Sequence, residues 1–106
     1  MSILLSDLAQ SDLDEIRQYT IETWGRSQWL RYYRGLVVAF ERISEDPGIG
    51  RDRRLFVAGM RSVNYEKHTI FFKPLDAAGG AAVILRIVHQ RRNMPALVYY
   101  EDLDSQ

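Results

Sequence analysis

The chain has 106 residues, 46% of them hydrophobic and 11% aromatic, which suits a single domain over 1–106 with one core and leaves too little chain for two. It has no cysteine, so disulfides, thiolate metal sites and cysteine nucleophiles are excluded. Its 14 basic and 14 acidic residues cancel to zero net charge, and no long apolar run or basic leader marks a membrane span or signal peptide, so a soluble cytoplasmic protein is expected.

In chain order, Ile3, Leu4 and Leu5 predict a short strand, ended by Ser6-Asp7, either of which can cap a helix by accepting a first-turn N–H. Beyond Leu8, the apolar positions Leu13, Ile16, Tyr19 or Thr20, and Trp24 step by three and four, while Asp12, Asp14, Glu15, Arg17 and Gln18 fill an opposite, solvated face. Gly25 supplies the stop. The period resumes with Trp29, Tyr32 or Tyr33, Leu36, Val37, Phe40 and Ile43, and ends at Asp46-Pro47-Gly48, where proline cannot continue the helix. So short a connector predicts antiparallel helices, a helical hairpin.

Gly48 to Arg54 is glycine-rich and charged, which predicts a loop. A phosphate-cradling turn is not supported there, since no strand precedes it and no Gly-Lys-Ser/Thr follows. Beyond Gly59, three strands are expected at 60–65, 69–73 and 82–88, with turns at Glu66-Lys67 and 76–80, as an antiparallel meander with one face on the helices. Arg61, His68 and Arg86 lie within or beside these apolar runs and should emerge on the open face or the edges. Met94 to Tyr100, with Pro95 near its start, reads as a short turn or helix, and 101–106 as a flexible acidic tail. The fold class is α+β in β-α-α-β-β-β order: a two-helix antiparallel hairpin packed on a mostly antiparallel sheet.

Few chemistries survive this pattern. His68 and His89 stand on different predicted strands with no third ligand indicated, so satisfied or surface histidines are favoured, and no metal or cofactor is expected. No Gly-x-Ser-x-Gly elbow is present. Charge is unevenly placed: residues 1–50 carry five arginines against eight acids, and residues 51–100 carry seven arginines and two lysines against three. Arginine makes up 12 of the 14 basic residues, a bias toward the bidentate pairing that interfaces use. The one constellation left is the cationic end of the last strand, Arg86, His89, Arg91 and Arg92, with Arg61 and His68 on neighbouring strands. Two readings stay open for it. Either a polyanion or acidic partner docks there, or charge is stabilised in phosphodiester cleavage; or else these arginines pair with Asp12, Glu15, Glu41, Asp52 or the acidic tail and keep the sheet soluble.

The order of elements and several local signatures resemble the ParE toxins of the RelE/ParE superfamily of bacterial type II toxin-antitoxin systems. The carrying residues are Ala9, Asp12-Leu13 and Ile16; Trp24-Gly25; Leu36, Phe40 and Ile43; Asp46-Pro47-Gly48-Ile49-Gly50-Arg51; Gly59-Met60-Arg61-Ser62; Ile70-Phe71-Phe72; and Ile84-Leu85-Arg86-Ile87-Val88-His89-Gln90-Arg91-Arg92. The resemblance implies a growth inhibitor that poisons DNA gyrase and is neutralised by a ParD-like ribbon-helix-helix antitoxin with a disordered C-terminal segment, in a toxin-antitoxin hetero-oligomer. It implies no enzyme activity and no sequence-specific nucleic-acid binding. RelE-like relatives are ribosome-dependent mRNA endonucleases with a basic cluster and commonly a C-terminal tyrosine. Here Arg61 and Arg91 fall on basic positions, but the tyrosine position lies near Leu97, with Tyr99 and Tyr100 close by, and Arg53-Arg54 stands in place of a lysine pair. An mRNA interferase and a catalytically silent binding module are the alternatives. An acidic antitoxin segment would set apolar anchors against the hairpin around Trp29 and Tyr33, and carboxylates against the cationic strand end; core packing is the alternative for both aromatics.

Overall fold

The computed structural model describes residues 3–74 and 81–91. Its elements are β1 (Ile3–Leu5), α1 (Asp7–Trp24), α2 (Arg26–Glu45), β2 (Arg51–Asp52), β3 (Arg61–Tyr65), β4 (His68–Pro74) and β5 (Ala82–His89). The expected turn or helix at 94–100, the turn at 76–80 and the acidic tail lie outside the described residues, as does Arg92.

Ser6 joins helix to sheet. Its hydroxyl accepts from the Ala9 amide at 3.0 Å, which caps α1, and donates to the Leu85 carbonyl at 2.8 Å; its own amide donates to the Ile84 carbonyl at 2.9 Å. A helix start that leaves its first N–H groups unpaired is thereby anchored on the strand beneath it. At the other end Gly25 takes φ +95°, a region costly for any side chain, and its amide donates back to Ile21 and Thr20. One residue thus ends α1 and begins α2. The helices run antiparallel: Gln10 and Leu13, near the start of α1, share a groove with Phe40 and Ser44 at the end of α2.

The sheet order is β1-β5-β4-β3-β2. Strands β2 to β5 pair antiparallel and β1 lies parallel to β5, Ile3 opposite Ala82 and Leu5 opposite Ile84. This is the expected hairpin on a mostly antiparallel sheet, with one strand more than the sequence showed. Read as part of a loop, Arg51-Asp52 is β2, registered on Ser62 and Arg61. It shows no alternation because both residues are exposed. Tertiary contacts hold it: Arg61 Nε and Nη2 donate to the carbonyls of Ile49 and Gly50 at 2.9 and 2.8 Å, and Gly50, at φ +86°, lies so close to the Ser62 carbonyl that no Cβ fits.

Each face of the sheet carries a core. Ala9, Leu36 and Ile43 pack on Ile70, Phe72, Ala82, Ile84 and Ile87 under the helices. On the reverse, Val57 and Met60 from the 53–60 loop close over Phe71 and Val88. A register shift between Phe71 and Phe72 sets Phe71 opposite Arg86 but Phe72 opposite Ile84, so Leu85 is the extra residue of a β-bulge. The helix period holds through the middle of α1, where of Tyr19 and Thr20 it is Thr20 that is half-buried, and fails at its end, where Trp24 is 69% exposed.

Gly35 in mid-α2 has a packing purpose. The Tyr65 ring lies over it, with its hydroxyl donating to the Tyr32 carbonyl at 2.7 Å, and a Cβ on Gly35 would collide with that ring. Alanine gains up to about 1 kcal/mol of helix propensity over glycine, whereas overpacking costs about 1–3 kcal/mol and the lost bond about 1 kcal/mol. Gly35→Ala should therefore lower the midpoint of urea unfolding, and Tyr65→Phe, by removing the colliding hydroxyl, should make the same change less damaging; a Gly35→Ala protein more stable than the parent would show that Tyr65 does not need the space.

Candidate functional site

The structure divides the cationic constellation. Arg86, expected on an open face or edge, is 7% exposed. Its Nε and Nη2 donate to Asp12 Oδ2 and Oδ1 at 2.7 and 2.9 Å. Asp12, placed by periodicity on a solvated face, is buried as well, and its Oδ2 also accepts the Ile87 amide at 2.9 Å. One carboxylate so answers both the guanidinium fork and a β5 backbone donor past the point where β1 ends. Arg61 is half-buried and tied to the 49–50 carbonyls. Of the pairings considered for the arginines, the Asp12 one is formed by Arg86.

His68, His89 and Arg91 do come together. His68 and His89 face each other across β4 and β5, their rings 5.4 Å apart and edge to face. Both line a groove of about 780 Å³ below the closed end of the hairpin, with Tyr19, Trp24 and Tyr32 on the helical side and Lys67 and Arg91 on the strand side; Glu15 and Glu66 are on its wall too. Gln90 holds the β3–β4 turn at this end, its amide donating to the Lys67 carbonyl at 2.8 Å and its side chain to the Glu66 and His68 carbonyls.

The histidines are positioned by their Nδ1 atoms. Tyr32 Oη lies 3.2 Å from His68 Nδ1, and His89 Nδ1 accepts the Arg91 amide at 3.1 Å. Neutral His89 therefore carries its proton on Nε2, a donor toward an anion or carbonyl and not a lone pair for a metal. Burial, with His89 beside it, holds His68 down at about 4, against a weaker opposing pull from Asp12, so its ring is neutral at pH 7. Burial, with Tyr65 and Glu66 nearby, pushes Tyr32 up, so its phenol stays protonated. Among the described residues no group of three or more histidine, aspartate or glutamate side chains is placed to hold a metal ion. The arrangement can donate hydrogen bonds and place positive charge beside exposed aromatic rings.

Trp29 and Tyr33 do not form one exposed surface. Trp29 is buried, with its ring 6.0 Å from Tyr32 and 5.5 Å from Tyr33. Tyr33 is exposed and borders a second groove near the open end of the hairpin. Tyr32, Tyr65 and Gln90 were missed as site residues. The signal for the first two is Gly35, since a glycine inside a helical period marks a close approach.

Comparison with known proteins bears on the family and the fold. Residues 3–94 match the family model for the ParE toxin of the type II toxin-antitoxin system parDE. Toxin ParE1 of Caulobacter vibrioides is 35% identical over 92 residues, covering 87% of this chain and 92% of its own. Toxin ParE1 of Mycobacterium tuberculosis is 34% identical, covering 86% and 91%. A solved chain of the chromosomal ParDE TA system from P. aeruginosa shares the fold, with a TM-score of 0.65 at 24% identity over 84% of this chain and 95% of that one.

Two outcomes are expected at these sites. Asp12→Ala leaves a buried guanidinium without its partner and should cost about 3–5 kcal/mol in urea unfolding, whereas the pair Asp12→Leu with Arg86→Met should recover much of that loss. For His68 the folded value of about 4 lies below the ordinary 6.5, so the unfolded chain binds the extra proton between them; stability is full above pH 6.5 and falls as pH drops toward 4. His68→Asn should flatten that part of the stability profile, and an unchanged slope would remove His68 as its source. By its family match and its curated relatives, the chain belongs to the ParE toxins of type II toxin-antitoxin systems.

Proposed function

We propose that this ParE-family toxin is a cytoplasmic, non-enzymatic growth inhibitor that poisons DNA gyrase, and that a ParD-like ribbon-helix-helix antitoxin holds it inactive through a segment that folds on binding. The observation that carries the non-nuclease reading is the commitment of the strand arginines. Cleaving RNA requires a group to take the 2′-hydroxyl proton and cations aimed at the phosphate. Arg86 is instead engaged by Asp12, and Arg61 by the 49–50 carbonyls.

A protein target suits what is exposed. Trp24 and Tyr19 stand out beside Arg91 on one groove, and tryptophan, tyrosine and arginine dominate binding energy at protein interfaces. Lys67, Arg91 and the His89 donor offer an acidic antitoxin segment a place for its carboxylates. Burial removes Trp29 from the hairpin anchors and leaves Tyr33.

The test is purified protein added to a gyrase supercoiling and cleavage reaction, with a ribosome-primed mRNA reaction alongside. Inhibited supercoiling with accumulated cleaved DNA, relieved by the antitoxin encoded beside the toxin, and intact mRNA are expected. Unimpaired supercoiling sinks the gyrase reading. Cut mRNA would put the interferase in its place, and silence in both reactions, with normal growth on overproduction, would put the binding module there.

A further inference from the structure

The second groove, about 520 Å³, runs between the start of α1, the end of α2 and strand β1. Its floor is apolar, from Ile3, Leu5, Leu13, Val37 and Phe40. Its charges have one sign: Glu41 and Glu45, both exposed, stand on its α2 rim, and no lysine or arginine is among its described lining residues. The groove at the closed end differs, with Lys67 and Arg91 standing beside Glu15 and Glu66.

Two further features point to an occupant. Ser44, on the same wall, is 7% exposed and its Oγ has no hydrogen-bond partner; a buried hydroxyl left so costs stability unless something binds it. β1 pairs with β5 along one side and, among the described residues, with no strand along the other, so it presents backbone groups to an incoming segment.

We infer that this groove takes an aliphatic segment of the antitoxin carrying lysine or arginine, whose N–H groups meet Glu41 and Glu45 and donate to Ser44 Oγ. This rests on the proposed antitoxin partnership and adds to it: the antitoxin must present cations at the open end of the hairpin as well as carboxylates at the closed end. The toxin's own tail does not fit, because Glu101, Asp102 and Asp104 would face like charge. A second copy offers Leu55, 96% exposed beside Arg54. Leu55 follows β2, at the opposite edge of the sheet from β1, so that contact would join copies head to tail, in a ring or a filament.

The test is calorimetric titration of the toxin with the antitoxin encoded beside it. Glu41→Lys with Glu45→Lys should weaken binding at least about tenfold, while Asp14→Lys with Glu22→Lys, the same charge change on exposed sites outside both grooves, should stay within about twofold. Ser44→Ala should leave the free toxin as stable or more so, yet weaken the complex. Equal affinities for the two charge-reversed proteins overturn the inference and leave the partnership intact. No binding by the parent toxin defeats both. Self-association of the toxin alone, abolished by Glu41→Lys with Glu45→Lys in sedimentation, would replace the antitoxin with a second copy and also overturn it.

Discussion

The carboxylate of Asp12 holds this fold together where its two layers meet. β1 covers the edge of β5 only as far as Ile84, and beyond that point the strand would present unpaired amides. Asp12 accepts one of them, from Ile87, while gripping Nε and Nη2 of Arg86. α1 therefore completes the edge that β1 leaves unfinished. Burying both charges carries a desolvation cost of several kcal/mol per ion, and such a pair gains little net stability over an apolar one. What it fixes is register, since sliding α1 by one turn would strand the charge. The bulge at Leu85 lies beside it, and Ser6 binds the backbone there, so helix start, bulge and ion pair form one joint.

How much of this was legible follows from the range of the signals. The helices and the meander were readable because their causes are local: a serine cap, glycine and proline stops, β-branched runs and a Glu66-Lys67 turn. β2 was not, because what makes Arg51-Asp52 a strand is the Arg61 guanidinium from another strand. Asp12 was misplaced for a related reason. Periodicity assigns a polar residue to water, and only its partner, 74 residues along the chain, makes the buried position tolerable. Trp24 failed in the opposite sense, as an apolar residue at the end of α1 that stays exposed. The cationic cluster was half legible: strand pairing gathers His68, His89 and Arg91, but sequence alone could not tell which arginine would turn inward.

A chain of packed rings leads to the closed-end groove. Trp29 stacks on Tyr32, Tyr65 is tilted against Tyr32, and Tyr32 leads on to His68 and His89. Gly35 lets Tyr65 approach α2, and the Tyr65 hydroxyl fixes the Tyr32 backbone. The neutral His68 imidazole is set by the same contacts, since burial beneath the helices is what disfavours its charging.

The hairpin itself has little freedom to adapt. A connector of one residue, Gly25, with its amide bound to both Ile21 and Thr20, leaves no slack for the helices to splay. Ser6 pins the start of α1, and the Asp46 amide and carboxylate tie off the end of α2. Both groove walls are therefore formed before any partner arrives. When one surface is preorganised, the ordering cost of association falls on the other, and a disordered segment that folds on contact bears it while reaching across widely spaced sites. The two grooves lie at opposite ends of one rigid hairpin, and among their described lining residues one carries acids alone while the other carries both signs. A segment long enough to reach both meets acids alone at one end and cations set beside acids at the other, and matching that pattern, more than the area it buries, is what would separate a cognate segment from a merely sticky one.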